Sequence, residues 1–264
     1  MLSFLFFFLS LLFLFFFIKY WEHVKIYRPK EDFFVYPSEF GIDFEDVNFS
    51  SRDHVLLNGW FFKGISKKVI LFCHGNFGNI SSGIEIVREL NLMRYNVFIF
   101  DYRGFGKSDG IPTERGLYYD ALGAISYLRE RGFKKNEIVL FGNSLGGAVA
   151  IFVGSVIRDL GGIIIDSTFQ SIRSLSYDIF GFHFPRFLIS NRFESIKRIK
   201  KIRAPKLIIH SEEDDLIPFY HGLKLFEEAL PPKQFLKVKG FHNSSFSESK
   251  ETYIKGIKHF IESL

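Results

Sequence analysis

Cysteine is almost absent from this chain, which has a single one, Cys73, among 264 residues. One cysteine excludes a disulfide within the chain and any metal centre built from several thiolates. Because Cys73 ends an apolar run, its position is typical of a small buried side chain and not of a reactive thiol. We therefore expect a structural role for it.

Patterns that hold cofactors or nucleic acid are missing as well. No cluster of His, Cys, Asp and Glu has metal-ligand spacing, and no Gly-x-Gly-x-x-Gly opens a strand and helix unit. The net charge is +5, but Lys and Arg are spread along the chain apart from a short run at 197–203. Nucleic-acid binding needs a clustered basic face. The sequence thus predicts no metal, no nucleotide cofactor and no nucleic-acid partner.

One long hydrophobic run stands at the start of the chain. Residues 2–18 carry no charge and are mostly Phe and Leu, and Tyr20 and Trp21 follow them. About 17 apolar residues is the lower bound for crossing a bilayer, and Tyr and Trp favour its interface. A cleaved signal peptide would need a basic segment before the run and small residues after it. We therefore predict a retained transmembrane anchor over residues 1–20.

The rest of the chain is long enough for one α/β domain. Residues 21–43 contain two prolines and are predicted to be a linker or collar, and residues 44–264 to be the catalytic domain. Short apolar runs alternate with helical patterns, which predicts a doubly wound, mostly parallel sheet of eight strands. The predicted strands are 44–49, 55–62, 69–73, 96–100, 138–141, 162–165, 206–210 and 235–238. Sites in such sheets lie at the carboxyl ends of the strands.

The chain is organised around the segment Gly142-Asn143-Ser144-Leu145-Gly146. An apolar run precedes it and small apolar residues follow it, so the segment predicts a strand, a sharp turn and a buried helix. Glycine two residues before and after Ser144 leaves room for a strained turn. The hydroxyl would then stand above the sheet edge, with the Leu145 amide at a helix N-terminus, where it can stabilise an oxyanion. Ser144 is the predicted nucleophile.

A serine hydroxyl needs a base, and the base needs an orienting acid. In this kind of sheet the acid and then the histidine follow the nucleophile along the chain. Asp214 and His242 fit that order, and each follows a predicted strand. Asp215 and Asp166 remain alternatives to Asp214 as the acid. The other histidines weighed as the base are less suitably placed. His259 is predicted in a helix, His221 at a helix start, His210 at the end of a strand and His183 between strands.

The second oxyanion donor is expected in the loop after the third strand. The amide of Asn76 is the first choice there, and that of Phe77 is the alternative. His74 stands directly before a glycine at a strand end, so we expect it to bond to backbone and shape this loop. Asp101 and Arg103 are predicted to form a polar pair that fixes the next loop.

Residues 169–204, between the sixth and seventh strands, are predicted to form a short cap over Ser144. Five large apolar side chains of this segment either line an acyl-chain pocket or pack the cap onto the sheet: Phe180, Phe182, Phe184, Phe187 and Leu188. The sequence leaves both possibilities open.

Several motifs of the chain occur together in one known family. They are Cys73-His74-Gly75-Asn76, Asp101-Tyr102-Arg103-Gly104-Phe105-Gly106-Lys107-Ser108, Pro112-Thr113-Glu114, Gly142-Asn143-Ser144-Leu145-Gly146, Ser167-Thr168-Phe169, Arg192-Phe193-Glu194-Ser195, Asp214-Asp215-Leu216-Ile217-Pro218 and Gly240-Phe241-His242-Asn243. From about residue 44 onward the chain resembles the α/β-hydrolases, and more narrowly the membrane-anchored serine hydrolases of the bud-emergence type and the acyl-protein depalmitoylase-like group. One departure is Asp53-His54, where such proteins often have a glycine-containing hairpin turn.

The resemblance implies cofactor-free hydrolysis of esters, thioesters or amides, with Ser144, Asp214 and His242 on the family's catalytic positions. Together with the anchor, it predicts a membrane-bound serine hydrolase acting on a carboxylic ester or thioester of a small molecule, an acyl lipid or an acyl protein. The alternatives are a peptidase or amidase, an acyltransferase, and a catalytically silent scaffold that binds a partner. The basic residues after the apolar run favour a cytoplasmic catalytic domain: Lys19, Lys25, Arg28 and Lys30.

Overall fold

A computed structural model describes residues 2–182, 184–185 and 187–264. His183, one of the histidines set aside as the base, lies outside these residues. The strands of the main sheet are β1 (Glu45–Ser50), β2 (Leu56–Phe62), β3 (Val69–Cys73), β4 (Asn96–Phe100), β5 (Ile138–Asn143), β6 (Gly162–Asp166), β7 (Lys206–Ser211) and β8 (Lys233–Val238). Their order across the sheet is β8-β7-β6-β5-β3-β4-β2-β1.

The sheet is mostly parallel, as predicted. Only β2 pairs antiparallel, with β1 on one side and β4 on the other, and the remaining pairings are parallel. Every residue of β3, β4 and β6 is buried. Continuous apolar strands of this kind suit a sheet that is covered on both faces.

The structure describes helices before, between and after the strands. They are α1 (Leu2–Ile26), α2 (Ile84–Leu92), α3 (Glu114–Glu130), α4 (Leu145–Val156), α5 (Ile172–Phe180), α6 (Ser195–Ile199), α7 (Tyr220–Glu228), α8 (Ser245–Glu248) and α9 (Lys250–Glu262). Val69 and Leu71 of β3 belong to the apolar cluster that includes α3, α4 and α7. Ile70 and Phe72 belong to the cluster with α2 and α9. Side chains alternate along a strand, so one apolar run supplies both cores.

Helix α1 continues beyond residue 20 and ends at Ile26. Its segment Phe6–Ile26 is long and apolar enough to cross a membrane, with a mean hydropathy of 1.5. The chain after α1 lies against the domain: Arg28–Pro29 forms a short parallel pairing with Phe77–Gly78 in the loop after β3. Further on, the ring of Phe33 packs on that of Trp60, with 4.9 Å between ring centroids.

Two helices, α5 and α6, lie in the segment predicted as the cap. The hydroxyl of Ser171 caps the N-terminus of α5 by accepting a hydrogen bond from the Ser174 amide. Gly181 ends the helix in the left-handed conformation that glycine adopts readily, with φ of 74°. These local signals fix the two ends of α5, which follows β6 and precedes β7 in the chain.

Candidate active site

Ser144 lies in a sharp turn between β5 and α4, as the sequence predicts. Its backbone angles are φ 52° and ψ −115°, a conformation that is strained for a residue with a side chain. A Cβ atom at Gly146 would overlap the carbonyl of Cys73, and one at Gly142 would overlap the carbonyl of Gly146. The two glycines therefore allow the strand and the helix to approach closely enough to form this turn.

The structure brings Ser144, His242 and Asp214 together. The Oγ of Ser144 is 3.1 Å from Nε2 of His242, and Nδ1 of His242 is 2.8 Å from Oδ2 of Asp214. A proton on Nδ1 donates to the carboxylate and leaves Nε2 free to accept the hydroxyl proton of Ser144. In this arrangement the imidazole can act as a general base towards the serine.

Asp214 is buried and held as an anion. Burial by itself would raise its pKa, but the hydrogen bond and charge interaction with His242 lower the pKa below its ordinary value. The Leu216 and Ile217 amides, which donate to Oδ1 at 3.0 and 2.7 Å, act in the same direction. A carboxylate that remains charged can fix the imidazole and stabilise it when it takes up a proton.

The two alternative acids have other partners. Asp215 accepts a hydrogen bond from the main-chain amide of His242 at 3.0 Å, so it holds the loop and not the ring. Asp166 accepts from Asn143 Nδ2 at 3.0 Å and from the Tyr253 hydroxyl at 2.9 Å. Burial raises the pKa of Asp166 to about 6, although these hydrogen bonds lower it.

The other described histidines in this region are engaged elsewhere. His210 is buried, and its Nε2 donates to the Ile217 carbonyl at 2.8 Å. Nε2 of His221 lies 2.7 Å from the carboxylate of Asp178, while its Nδ1 accepts from the Gln170 amide. Burial lowers the pKa of both imidazoles. Their contacts support the cap and the acid loop.

The two predicted oxyanion donors flank Ser144. Leu145 is the first residue of α4, so its amide lies at the positive end of the helix dipole. Asn76 lies in the loop after β3, and Asn76, Leu145 and Ser144 border the same cavity. The Asn76 loop is fixed on two sides, because its side chain donates to the Ile26 carbonyl at 3.0 Å and its carbonyl accepts from the Arg28 amide at 2.9 Å.

His74 shapes this loop. Its Nδ1 is 2.8 Å from the carbonyl of Gly75, and its own carbonyl accepts from the hydroxyl of Tyr102 at 3.1 Å. Burial lowers the pKa of His74 to about 4, so the imidazole is neutral at physiological pH. Nearby, Asp101 accepts from the Ile80 amide at 2.8 Å, and burial raises its pKa well above the ordinary range.

The predicted pair of Asp101 and Arg103 is wrong. Arg103 instead donates to Asp120 in α3, with its Nε 2.9 Å from Oδ1, and to Asp53 in the β1–β2 turn, with its Nη1 3.0 Å from Oδ2. Asp53 is the position at which the sequence departs from the related family. Because the partners of Arg103 are 17 and 50 positions away along the chain, no local pattern identifies them.

Two cavities meet at Ser144. One, of about 440 Å³, is bounded by the cap and the end of α1, and its lining is mainly apolar. The other, of about 560 Å³, is more polar and includes His242, Asn143 and Asp166. An ester carbonyl at Ser144 can therefore place an apolar acyl group on one side and a polar group or water on the other.

The cap supplies part of the apolar lining. Phe180, Phe184 and Leu188 border the cavity with Ser144, as one of the two sequence hypotheses proposes. Phe182 and Phe187 are 52% and 73% exposed and do not belong to that lining. The five cap side chains are thus divided between the cavity and the surface.

Among the lining residues that the sequence hypotheses missed, five belong to α1: Ile18, Trp21, Glu22, Lys25 and Ile26. Their spacing of three, four, seven and eight residues from Ile18 places them on one side of a helix. Only Ile18 lies in the apolar run, and the other four follow it in a segment of mixed polarity, so this spacing was the only signal that the sequence offered. Within the described residues, no group of three or more His, Cys, Asp or Glu is arranged to hold a metal ion.

Comparisons with known proteins agree with this architecture. A family model described as the alpha/beta hydrolase fold matches residues 68–168. The Escherichia coli K12 protein YfhR is 34% identical over 237 residues, which cover 84% of this chain and 83% of YfhR. The chain belongs to the α/β-hydrolase superfamily.

Bem46-like proteins are among its relatives. The protein bem46 of Schizosaccharomyces pombe is 34% identical over 194 residues, covering 69% of this α/β-hydrolase and 64% of bem46. The structure of the Pyrococcus furiosus esterase Pf2001 superposes with a TM-score of 0.77 at 20% identity, covering 90% of this chain and 97% of the esterase. At that identity the superposition shows a common fold.

Proposed function

We propose that this α/β-hydrolase is a membrane-anchored serine hydrolase that cleaves a carboxylic ester or thioester through an acyl-enzyme. The observation that carries the proposal is the continuous chain of hydrogen bonds from Ser144 through His242 to Asp214, at 3.1 and 2.8 Å. Nucleophile, base and orienting acid are then within the distances that proton transfer requires.

In the proposed reaction, Oγ of Ser144 attacks the substrate carbonyl carbon while its proton passes to Nε2 of His242. The oxygen of the tetrahedral intermediate is negative, and the amides of Leu145 and Asn76 donate to it. The intermediate collapses when the carbon–oxygen or carbon–sulfur bond breaks, and His242 gives its proton to the leaving group. Asp214 stabilises the imidazolium between these two transfers.

The second half of the reaction releases the acid. A water molecule from the polar cavity attacks the acyl-enzyme carbonyl as His242 takes one of its protons. The new tetrahedral intermediate breaks the bond to Ser144, whose oxygen recovers the proton from His242. A free carboxylic acid leaves, and the enzyme returns to its starting state.

Two features support an acyl-chain substrate and a membrane location. The cavity on the cap side is large enough for an extended apolar group and has a mostly apolar lining. Helix α1 exposes its apolar side chains along residues 6–17, and a bilayer would cover them. We place the domain on the cytoplasmic side, because the basic residues follow the span: Lys19, Lys25, Arg28 and Lys30.

The proposal is tested with the full-length protein in detergent, a fluorophosphonate probe and p-nitrophenyl esters from acetate to palmitate. Ser144→Ala and His242→Ala should each lose labelling and at least roughly 10³-fold in kcat. Ser126→Ala and His259→Ala, which change an exposed serine and an exposed histidine, serve as matched controls and should retain both activities.

A wild-type protein that neither labels nor hydrolyses any ester would overturn the proposal and favour the silent scaffold. Faster turnover of matched p-nitroanilides than of the esters would identify an amidase or peptidase instead. Equal turnover of short and long esters would contradict the acyl-chain pocket while leaving the serine mechanism in place.

A further inference from the structure

The end of α1 is a wall of the cavity that contains Ser144. The lining extends from Ile18 through Trp21 to Ile26 on one side of the helix. These eight steps correspond to about 12 Å along the helix axis. The cavity therefore extends along the last two turns of α1, from the end of the apolar segment to Ser144.

Hydrogen bonds fix this part of α1 to the cap. The Glu22 carboxylate is 8% exposed and accepts hydrogen bonds from the amides of Ser190 and Asn191, at 2.9 and 2.8 Å. Lys19 donates to the Ser190 hydroxyl at 2.8 Å. Hydrogen bonds to a buried charge are stronger than neutral ones, and losing them is costly. The helix end thus has a defined position relative to the cap.

The surface around this junction is apolar. Residues 6–17 of α1 expose large hydrophobic side chains, and on the cap Phe180, Phe182 and Phe187 are 40%, 52% and 73% exposed. Trp21 joins the two elements, with its ring centroid 5.5 Å from that of Phe180 and 6.3 Å from that of Phe184. Exposed apolar surface of this extent marks a site of interaction, and the length of the apolar helix beside it favours a membrane as the partner.

We infer that the substrate is an ester resident in the same bilayer as α1, whose long acyl chain enters the cavity along the Ile18–Trp21 side of the helix. The inference rests on the proposed serine hydrolase function and names its substrate class. Trp21 is the specificity-determining residue, because its indole lies between the helix and the cap aromatics that the chain must pass. The carbonyl then reaches Ser144, and the polar part of the substrate lies in the second cavity.

The first test uses the full-length protein in phospholipid nanodiscs and compares kcat/KM for p-nitrophenyl palmitate with that for p-nitrophenyl acetate. In Trp21→Ala the palmitate-to-acetate ratio should fall about tenfold, since the variant removes a large apolar contact with the chain. Tyr20→Ala is the matched control, because Tyr20 is the neighbouring aromatic residue, is 67% exposed and does not line the cavity. Its ratio should stay within about twofold of wild type.

Ile18→Trp is a second variant, in which a larger lining side chain reduces the volume of the cavity, whereas Trp21→Ala enlarges it. It should also lower the ratio about tenfold, because a bulkier side chain narrows the path of the acyl chain. Fluorophosphonate labelling identifies folded, reactive enzyme in every sample. Labelling without any change of the ratio in either variant overturns the inference and leaves the hydrolase function intact, whereas wild-type protein without labelling overturns the function itself.

The route is tested with 1-palmitoylglycerol as the lipid probe. The total amounts of enzyme and of lipid ester are held constant. The ester is divided in different proportions between the nanodiscs that contain the enzyme and separate nanodiscs, so that its mole fraction around the enzyme varies. We expect the initial rate to rise with that mole fraction. A rate that is the same when the ester is supplied in separate nanodiscs would overturn entry from the surrounding bilayer.

Discussion

The side-chain amide of Asn76 donates a hydrogen bond of 3.0 Å to the carbonyl of Ile26, the last residue of α1. The bond satisfies one of the free carbonyls that every helix has at its C-terminus. It also connects the loop that carries the proposed oxyanion donor to the helix proposed as the anchor. The loop after β3 and the end of α1 therefore share a fixed junction.

Replacing Asn76 by Ala should reduce kcat about tenfold while KM changes little. The main-chain amide remains, but the loop loses its connection to Ile26, and a small displacement of an oxyanion donor lowers transition-state stabilisation. Steady-state kinetics with p-nitrophenyl butyrate, together with the rate of fluorophosphonate labelling, measure the effect. Unchanged kcat and unchanged labelling would show that the junction does not position the donor.

Asp214→Asn and Asp215→Asn differ by one position and should differ greatly in activity. Asn at 214 cannot stabilise the imidazolium as a carboxylate does, so kcat should fall by roughly 10³ to 10⁴. In Asp215→Asn the side-chain oxygen can still accept the hydrogen bond from the His242 amide, so kcat should fall less than about tenfold. Initial rates of ester hydrolysis decide the assignment. A larger loss in Asp215→Asn would make Asp215 the orienting acid.

Arg103→Ala should destabilise the protein in a pH-dependent way. The variant leaves the Asp120 carboxylate, which is fully buried, without its cation, a change that costs about 3 to 5 kcal/mol in buried pairs. Burial already raises the pKa of Asp120 to about 6, although the hydrogen bonds and charge of Arg103 lower it. Losing Arg103 therefore raises this pKa further above its value in the unfolded chain, and the folded variant binds a proton at a higher pH than folded wild type does. The difference in the free energy of unfolding between wild type and Arg103→Ala should accordingly become smaller as the pH falls from 8 towards 5.

Urea unfolding of wild type and Arg103→Ala at several pH values measures this dependence. Lys255→Ala is the control, because it breaks the exposed pair with Glu251, which solvent screens, and should leave the stability nearly unchanged at any pH. A deficit for Arg103→Ala that stays constant between pH 5 and 8 would contradict the role assigned to Asp120.

Cys73 should resist alkylation in the folded protein. Burial raises the pKa of its thiol to about 12, and the side chain is fully buried in β3. The reactive thiolate is therefore scarce at pH 8, and the reagent cannot reach it. Mass spectrometry after treatment with iodoacetamide should find no adduct under native conditions and one adduct in urea. Rapid native modification would show that β3 opens.

The inner strands were predictable because each is a short apolar run between polar turns. The observed β3 and β4 coincide with the predicted ranges 69–73 and 96–100. Helix boundaries are harder to predict: the sequence pattern of residues 81–93 is typical of one helix, but the structure has a turn of 3₁₀ helix, Ile80–Gly83, followed by α2. Helix ends depend on capping and on the last hydrogen bonds, which hydrophobic periodicity does not record.

The site was predictable where its geometry is local. The turn at Ser144 is encoded within five residues, because its conformation requires glycine two positions before and after the serine. The partners of Arg103 were not predictable, since Asp53 and Asp120 come from distant parts of the chain. The choice of Asp214 over Asp215 stayed open for a similar reason: adjacent side chains point in different directions, and only folding shows which one faces the His242 ring.

The sequence alone determined the sheet, the turn that presents Ser144, and the presence of an apolar helix at the start of the chain. Only the tertiary structure decided that the end of this helix forms a wall of the Ser144 cavity. The physical reason is that lipid chains and an apolar cavity favour the same side chains. The apolar run therefore does not show which part of α1 contacts the protein, and contacts such as that of Glu22 with Asn191 arise only when distant segments of the chain meet.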